Sequence, residues 1–174
     1  MLLNNSDTVS NELLSPQGLC SLIELEYHPS INTSLRKVED YLISNAYGKE
    51  LSIPMSELIH LVFMKLADEL QHFFLKESGI IFPAICKNEK AIQAKEPGQH
   101  QLQNALLETV QQRQQIIVNL LQKMRQLLHD YNIHSEWSIE WQVCVNEMFL
   151  LETKIYQWIH IEGSLLYPKL IKTN

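Results

Sequence analysis

One eleven-residue stretch occurs twice in the chain. Residues 73–83 read FFLKESGIIFP, and residues 158–168 read WIHIEGSLLYP. In both copies an aromatic residue, a glutamate, a second aromatic residue and a proline follow one another at the same spacing. This repetition predicts two equivalent elements in the fold, each built around its glutamate, Glu77 or Glu162.

Each copy ends an apolar stripe that has helical spacing. Counting back from each glutamate in alternating steps of four and three residues gives Phe73, Leu70, Leu66, Phe63 and Ile59 for Glu77, and Trp158, Ile155, Leu151, Met148, Cys144, Trp141 and Trp137 for Glu162. Such steps place residues on one face of an α-helix that packs in a bundle. Both glutamates therefore fall on the core face. Burial of a carboxylate costs several kcal/mol, so each calls for a cation, a shared proton or an opening to water.

Two further helices are predicted around histidines. The first begins at Ser15, a capping residue, with Pro16 in the first helical position, and it runs to about residue 46. Pro29 should kink or split this helix beside His28. The third helix carries His100 seven residues before Leu107, which places His100 on its apolar face.

The third helix also has a glutamine-rich segment. Its apolar stripe comprises His100, Leu107, Val110, Ile117, Leu121, Met124, Leu128 and Tyr131. The neighbouring glutamines are Gln111, Gln112, Gln114 and Gln115. We interpret them as a solvated helix face rather than a strip that binds a partner.

Four long amphipathic helices without a strand pattern predict an all-α fold, an antiparallel up-down-up-down four-helix bundle. Residues 1–14 are expected to form a flexible leader and residues 15–174 the bundle. The second helix should span about residues 52–83, followed by a polar connection at 87–98 that is either a loop or a partly helical crossover. The fourth should start at a Ser135 cap and end near Pro168.

The charge and the cysteine content of the chain bear on its partners and its compartment. Of 174 residues, 14 are basic and 20 acidic, which gives a net charge of −6 and no basic stripe for nucleic acid or anionic membranes. Cys20, Cys86 and Cys144 are isolated, as is usual in a reducing compartment, so we expect a cytoplasmic protein. No signal sequence and no apolar run of about 20 residues is present.

The predicted topology brings four polar residues together. In an up-down-up-down bundle, the starts of helices one and three share a level with the ends of helices two and four. His28 and His100 lie early in their helices, and Glu77 and Glu162 lie late. Two imidazoles and two carboxylates should therefore converge at one end of the core, as a candidate metal site.

These motifs resemble the hemerythrin-like domain, and more closely its repair-of-iron-centres branch. There a four-helix bundle holds two irons through His-x-x-x-Glu motifs, followed by Phe-Pro, on helices two and four, with one histidine each on helices one and three. The resemblance covers about residues 15–170. Its segments are Glu26-Tyr27-His28 with Leu35, Leu66-Ala67-Asp68-Glu69-Leu70 with Lys76-Glu77 and Phe82-Pro83, Gln99-His100 with Leu106-Leu107-Glu108, and Ile159-His160-Ile161-Glu162 with Tyr167-Pro168. It implies His28, Glu77, His100 and Glu162 as metal ligands.

The sequence departs from this family at two ligand positions. Phe73 and Trp158 stand where the family has the histidine of each His-x-x-x-Glu motif, and neither can bind iron. His72 and His160 lie one and two residues out of register, about 100° and 200° around the helix. The resemblance thus implies a degenerate di-iron site. We expect His72, His129, His134 and His160 to face solvent.

Three functions follow from this pattern. The four retained ligands could hold one iron or an under-coordinated pair, with redox, oxygen or nitric-oxide chemistry or iron-centre repair implied by the resemblance. The bundle could instead be a metal-free binding or regulatory module, with Phe73 and Trp158 filling the former site and the two glutamates sharing a proton. A third alternative is an apolar cavity for another small ligand. The pattern leaves enzymatic activity and any protein partner open.

Overall fold

The computed structural model describes residues 14–44, 51–93 and 100–171. These ranges contain helices and no strand, so the all-α prediction is confirmed. The α-helices are α1 (Pro16–Leu22), α2 (His28–Ile43), α3 (Ile53–Lys76), α4 (Phe82–Gln93), α5 (His100–Leu127), α6 (Ile139–His160) and α7 (Tyr167–Ile171). Apart from Leu14, the predicted leader lies outside the described residues.

Three π-helical segments join neighbouring α-helices end to end. Ile23–Tyr27 joins α1 to α2, Glu77–Ile81 joins α3 to α4, and Ile161–Leu166 joins α6 to α7. The described residues therefore form four rods. Rod 1 is α1 and α2, rod 2 is α3 and α4, rod 3 is α5, and rod 4 is α6 and α7.

The prolines within the rods do not break them. Pro29 was expected to kink or split the first helix beside His28, and the α-helix is interrupted there by the π segment Ile23–Tyr27 before rod 1 continues as α2. The predictions that helix two ends by Pro83 and helix four near Pro168 were wrong, since α4 runs to Gln93 and α7 to Ile171. In each case a π segment directly before the proline accommodates it. The polar connection predicted from residue 87 is helical to Gln93, and residues 94–99 lie outside the described residues.

One of the two predicted helix caps is confirmed and the other is wrong. Ser15 accepts a hydrogen bond from the Gly18 backbone N–H at 3.1 Å, as expected. Rod 4 is capped by Ser138, whose hydroxyl accepts from the Trp141 N–H at 3.3 Å, and not by Ser135. A left-handed turn at residues 129–131, with φ of 48°, 59° and 60°, lies earlier in the same connection.

Side-chain contacts between the rods show which neighbouring rods are antiparallel. Lys154 Nζ donates to Ser34 Oγ at 2.7 Å, and Lys37 lies 3.9 Å from Glu147. Rods 1 and 4 are therefore antiparallel. Rods 3 and 4 are antiparallel too, because Gln114 contacts Glu162 while Arg125, further along rod 3, contacts Glu152. Helix α3 packs along α5.

Both predicted apolar stripes lie in the core. From Ile59 to Phe73, and from Trp141 to Trp158, every stripe residue is at most 3% exposed. Trp137, at the start of the second stripe, is half-buried and precedes α6. Across the described residues, no helix is both long and apolar enough to cross a membrane.

A buried carboxylate and imidazole cluster

His28, Glu77 and Glu162 come together between rods 1, 2 and 4. His28 Nε2 lies 2.7 Å from Glu77 Oε2. Both glutamates are fully buried, and His28 is 6% exposed. The convergence predicted for these three side chains is therefore present in the structure. They form, with Gln114, what we call the buried cluster.

The two glutamates share a hydrogen bond. Burial raises the pKa of Glu77 well above its usual range, and the charge of Glu162 and the hydrogen bond to it raise this pKa further. Burial also raises the pKa of Glu162, to about 6, whereas its hydrogen bonds lower it. Burial thus favours the protonated form of both groups, and the two carboxyl groups are placed to share a proton.

His28 is held neutral in the core. Burial lowers the pKa of its imidazole to about 4. The ring stacks on Phe74, with ring centroids 4.0 Å apart, and lies 6.0 Å from the ring of Phe82. The imidazole tautomer and the position of the Glu77 proton decide which atom donates in the hydrogen bond between His28 Nε2 and Glu77 Oε2. His28, Glu77 and Glu162 are thus linked in one hydrogen-bonded chain.

Rod 3 contributes Gln114, which the sequence analysis assigned to a solvated face. Its Nε2 donates to Glu162 Oε2 at 2.5 Å, and the residue is 9% exposed. Gln111, Gln112 and Gln115 are exposed, as predicted. A signal was present, because Gln114 lies four residues after Val110 and three before Ile117 and so completes the apolar stripe.

His100 begins rod 3, and its side chain lies outside the described part of the structure. Gln114, which reaches the cluster, is 14 residues further along the same continuous helix. At 1.5 Å per residue the two backbone positions are about 21 Å apart. Gln114 therefore has the place on rod 3 that was expected for a histidine, and the ligand role of His100 stays a prediction.

Aromatic rings surround the buried cluster. Phe73 and Trp158 contact each other edge to face, with ring centroids 5.5 Å apart. Trp158 also packs against Phe74 at 5.2 Å and lies 6.5 Å from the His28 ring. Phe73 and Trp158 thus form one continuous aromatic wall beside the cluster. The histidines that were predicted to face solvent, His72, His129, His134 and His160, are all exposed.

Four buried polar atoms near Glu162 lack a hydrogen bond of ordinary geometry. They are Glu77 Oε1, Glu162 Oε1, Trp158 Nε1 and Tyr167 Oη. The proton between the carboxyl groups accounts for the two oxygens. Trp158 and Tyr167 still lower the pKa of Glu162 as donors. We therefore regard them as nearby donors that are not fully engaged, and they offset only part of the rise in the Glu162 pKa that burial causes.

One side of the cluster lies close to the surface. His28 lines a groove of about 520 Å³ between rods 1 and 2. Phe74 forms part of its floor, and Glu24, Asn32 and Arg36 supply polar groups. A small molecule in this groove could reach the imidazole ring.

The donor set suits one metal ion better than two. A buried imidazole nitrogen and two carboxylates are common ligands of iron and similar metals. Phe73 and Trp158 offer no lone pair at the two positions where the sequence pattern would place further histidine ligands. As the described side chains are arranged, no group of three or more His, Cys, Asp or Glu residues is placed to hold a metal ion. Metal binding would require the proton between Glu77 and Glu162 to leave.

These features define an all-helical protein with a buried carboxylate and imidazole cluster between its helices. No family model matches the chain. It is 22% identical over 164 residues to the iron-sulfur cluster repair protein ScdA of Staphylococcus epidermidis. The alignment covers 94% of this chain and 70% of that protein, and ScdA of a second strain matches to the same extent.

Acidification should destabilise the metal-free protein through His28. Its folded-state pKa of about 4 lies below its ordinary value of 6.5, so between these values only the unfolded chain binds the proton. The stabilisation is complete above pH 6.5 and is lost as the pH falls through 4. From pH 7 to pH 4, we expect the wild type to lose more free energy of unfolding than His28→Gln, by on the order of 2 kcal/mol. Urea titrations at both pH values measure this difference.

The raised pKa of Glu162 changes the free energy of unfolding in the opposite direction with pH. This contribution is present in both proteins and cancels when they are compared. It is a stabilisation that is present below pH 4.5 and lost as the pH rises through about 6. Both proteins carry Glu162, so the difference between them reports His28. A smaller loss in the wild type than in His28→Gln would mean that His28 is charged and paired with an ionised Glu77.

Proposed function

We propose that this protein is a hemerythrin-like four-helix bundle that acts on iron in the repair of iron-containing centres. The observation that carries the proposal is the convergence of His28, Glu77 and Glu162 in the buried core. The similarity to iron-sulfur cluster repair proteins supports it as well. The antiparallel contacts of rods 1 and 4, and of rods 3 and 4, support an up-down-up-down arrangement.

In this proposal the site is a degenerate one that holds a single iron. His28, Glu77 and Glu162 would hold it, while His100 remains a candidate ligand. Bound iron would supply redox chemistry or bind oxygen or nitric oxide. Gln114 orients Glu162 through its amide, and the wall of Phe73 and Trp158 keeps water away. The groove beside His28 offers a small diatomic ligand an approach.

We also propose a cytoplasmic location without nucleic-acid or membrane partners. Cys20, Cys86 and Cys144 are free thiols, which suits a reducing compartment. The acidic net charge of −6 disfavours binding to polyanions.

Metal analysis tests the iron proposal. Protein produced with added iron and purified without oxygen or chelators should contain about one iron per chain. Glu162→Gln should lose most of it, because an amide is a far weaker ligand than a carboxylate. Glu69→Gln is the matched control, since Glu69 pairs with Arg113 away from the cluster and should leave the iron content unchanged. Wild-type protein that folds without iron would contradict the proposal.

A metal-free binding or regulatory module is the second candidate. It is favoured by the closed hydrogen bonding of the cluster, in which Gln114 and the proton on Glu77 already compensate Glu162. Glu77→Gln distinguishes the two functions. In a metal-free module the amide can still donate to Glu162, so stability should hold or rise. In an iron protein the same change should lower the iron content.

A further inference from the structure

The three π segments share a sequence feature. Each is followed by one residue and then a proline, in the pairs His28-Pro29, Phe82-Pro83 and Tyr167-Pro168. The other described prolines, Pro16 and Pro54, lie at the starts of α1 and α3. Within the described ranges, every proline inside a rod therefore follows a π segment.

Proline chemistry explains this pairing. Inside an α-helix, proline lacks the N–H that would bond to the carbonyl four residues back, and its ring collides with that carbonyl. In all three segments the residue before the proline bonds instead to the carbonyl five residues back. The N–H of His28 bonds to Ile23, that of Phe82 to Glu77, and that of Tyr167 to Glu162. Such a bond widens the turn just before the proline.

The wider turn decides which side chains face the core. Two residues that are five positions apart in an α-helix point about 140° away from each other around the helix axis. They therefore cannot both face the same core. In each π segment both members of the bonded pair are buried. The pairs are Ile23 with His28, Glu77 with Phe82, and Glu162 with Tyr167, and none is more than 6% exposed.

All three residues before the prolines reach the cluster. His28 bonds to Glu77, the Phe82 ring stacks over His28, and Tyr167 lowers the pKa of Glu162. Pro29 and Pro83 are themselves exposed, so they contribute little to the packing of the core. Their effect must come through the backbone.

We propose that Pro29, Pro83 and Pro168 are positioning residues of the buried cluster. Each holds open the π segment before it, and the open segment turns His28, Phe82 or Tyr167 toward Glu77 and Glu162. These prolines lie beside the site of the proposed function, and the proposal rests on that function only where iron binding is concerned. Its main readout is the hydrogen bond between His28 and Glu77 in metal-free protein.

The test is Pro83→Ala, followed by nitrogen-15 NMR of the His28 imidazole. Alanine restores the N–H and favours the α-helix, which offsets part of the packing that is lost when Phe82 turns out of the core, so the protein should stay folded. The π segment should close, and the NMR signal of the hydrogen-bonded Nε2 of His28 should be lost. A purely structural role for Pro83 would not combine a retained fold with loss of this signal.

Two matched variants serve as controls. Gly79→Ala lies in the same π segment, where an added Cβ meets nothing within 4 Å, and raises helix propensity without supplying the missing N–H. Pro54→Ala removes a proline at a helix start. Both should keep the His28 signal. Pro168→Ala is a second test, in which the π segment before Pro168 should close. The NMR signals of the Trp158 indole N–H and the Gln114 side-chain amide should then shift.

The outcomes are decisive. An unchanged His28 signal in folded Pro83→Ala would overturn the proposal, because packing alone would then hold the π segment open. Unfolding of both Pro83→Ala and Pro168→Ala would also count against it, since these changes favour helix. A wild-type protein without iron would refute the proposed function, while the His28 signal would still decide the role of the prolines.

Discussion

The double substitution Phe73→His with Trp158→His should produce a protein that takes up more iron than the wild type and is less stable without it. Each new histidine would lie four residues before Glu77 or Glu162, one turn away on the same helix face. Both replaced rings are buried, and Trp158 is fully so. Loss of such rings costs roughly 3 kcal/mol or more each when nothing refills the space.

Iron content and thermal unfolding, with and without ferrous iron, measure both effects. Iron at about 100 times its dissociation constant should return about 2.7 kcal/mol of stability to the variant. The control is Phe63→His with Trp141→His, which makes the same type of change further along the same two stripes. It should destabilise the protein without any gain of iron. A folded test variant that binds no more iron than the wild type would mean that the cluster geometry does not suit a second ion.

The helices and their buried faces could be predicted because periodicity reports burial directly. The stripes that end at Phe73 and Trp158 lie in the core as expected. The ends of the helices could not be predicted in the same way. A proline normally stops a helix, and the sequence alone does not reveal that a π turn before Pro83 or Pro168 will absorb it.

The same π turns explain why part of the site was missed. Tyr167 and Phe82 lie five residues after Glu162 and Glu77, a spacing that points away from the core in a regular α-helix. Gln114 was missed for a chemical reason, since an amide among other glutamines resembles a solvated surface and is not a usual metal ligand. His28, Glu77 and Glu162 were found because a buried imidazole or carboxylate on an apolar stripe needs a partner.

Arg125→Met should destabilise the protein by about 3 kcal/mol, although Arg125 itself is partly exposed. Arg125 donates two hydrogen bonds to Glu152 Oε1, from Nε at 3.1 Å and from Nη2 at 2.6 Å. The Glu152 side chain is only 2% exposed, so removal of the guanidinium leaves a buried carboxylate without its cation. Arg125 also packs over the ring of Tyr131, in the left-handed turn that leads to rod 4.

Urea unfolding measures this loss, and Arg113→Met is its matched control. Arg113 pairs with Glu69 at 3.2 Å, but the two side chains are 41% and 19% exposed, so this change should cost at most about 1 kcal/mol. The double variant Arg125→Met with Glu152→Leu should recover most of the stability, because it removes the buried charge together with its partner. Glu152 lies ten residues before Glu162 on rod 4, about 15 Å away, so the iron content of all these variants should match the wild type. Equal losses in Arg125→Met and Arg113→Met would show that Glu152 gains its compensation from water, and the double variant would then bring no recovery.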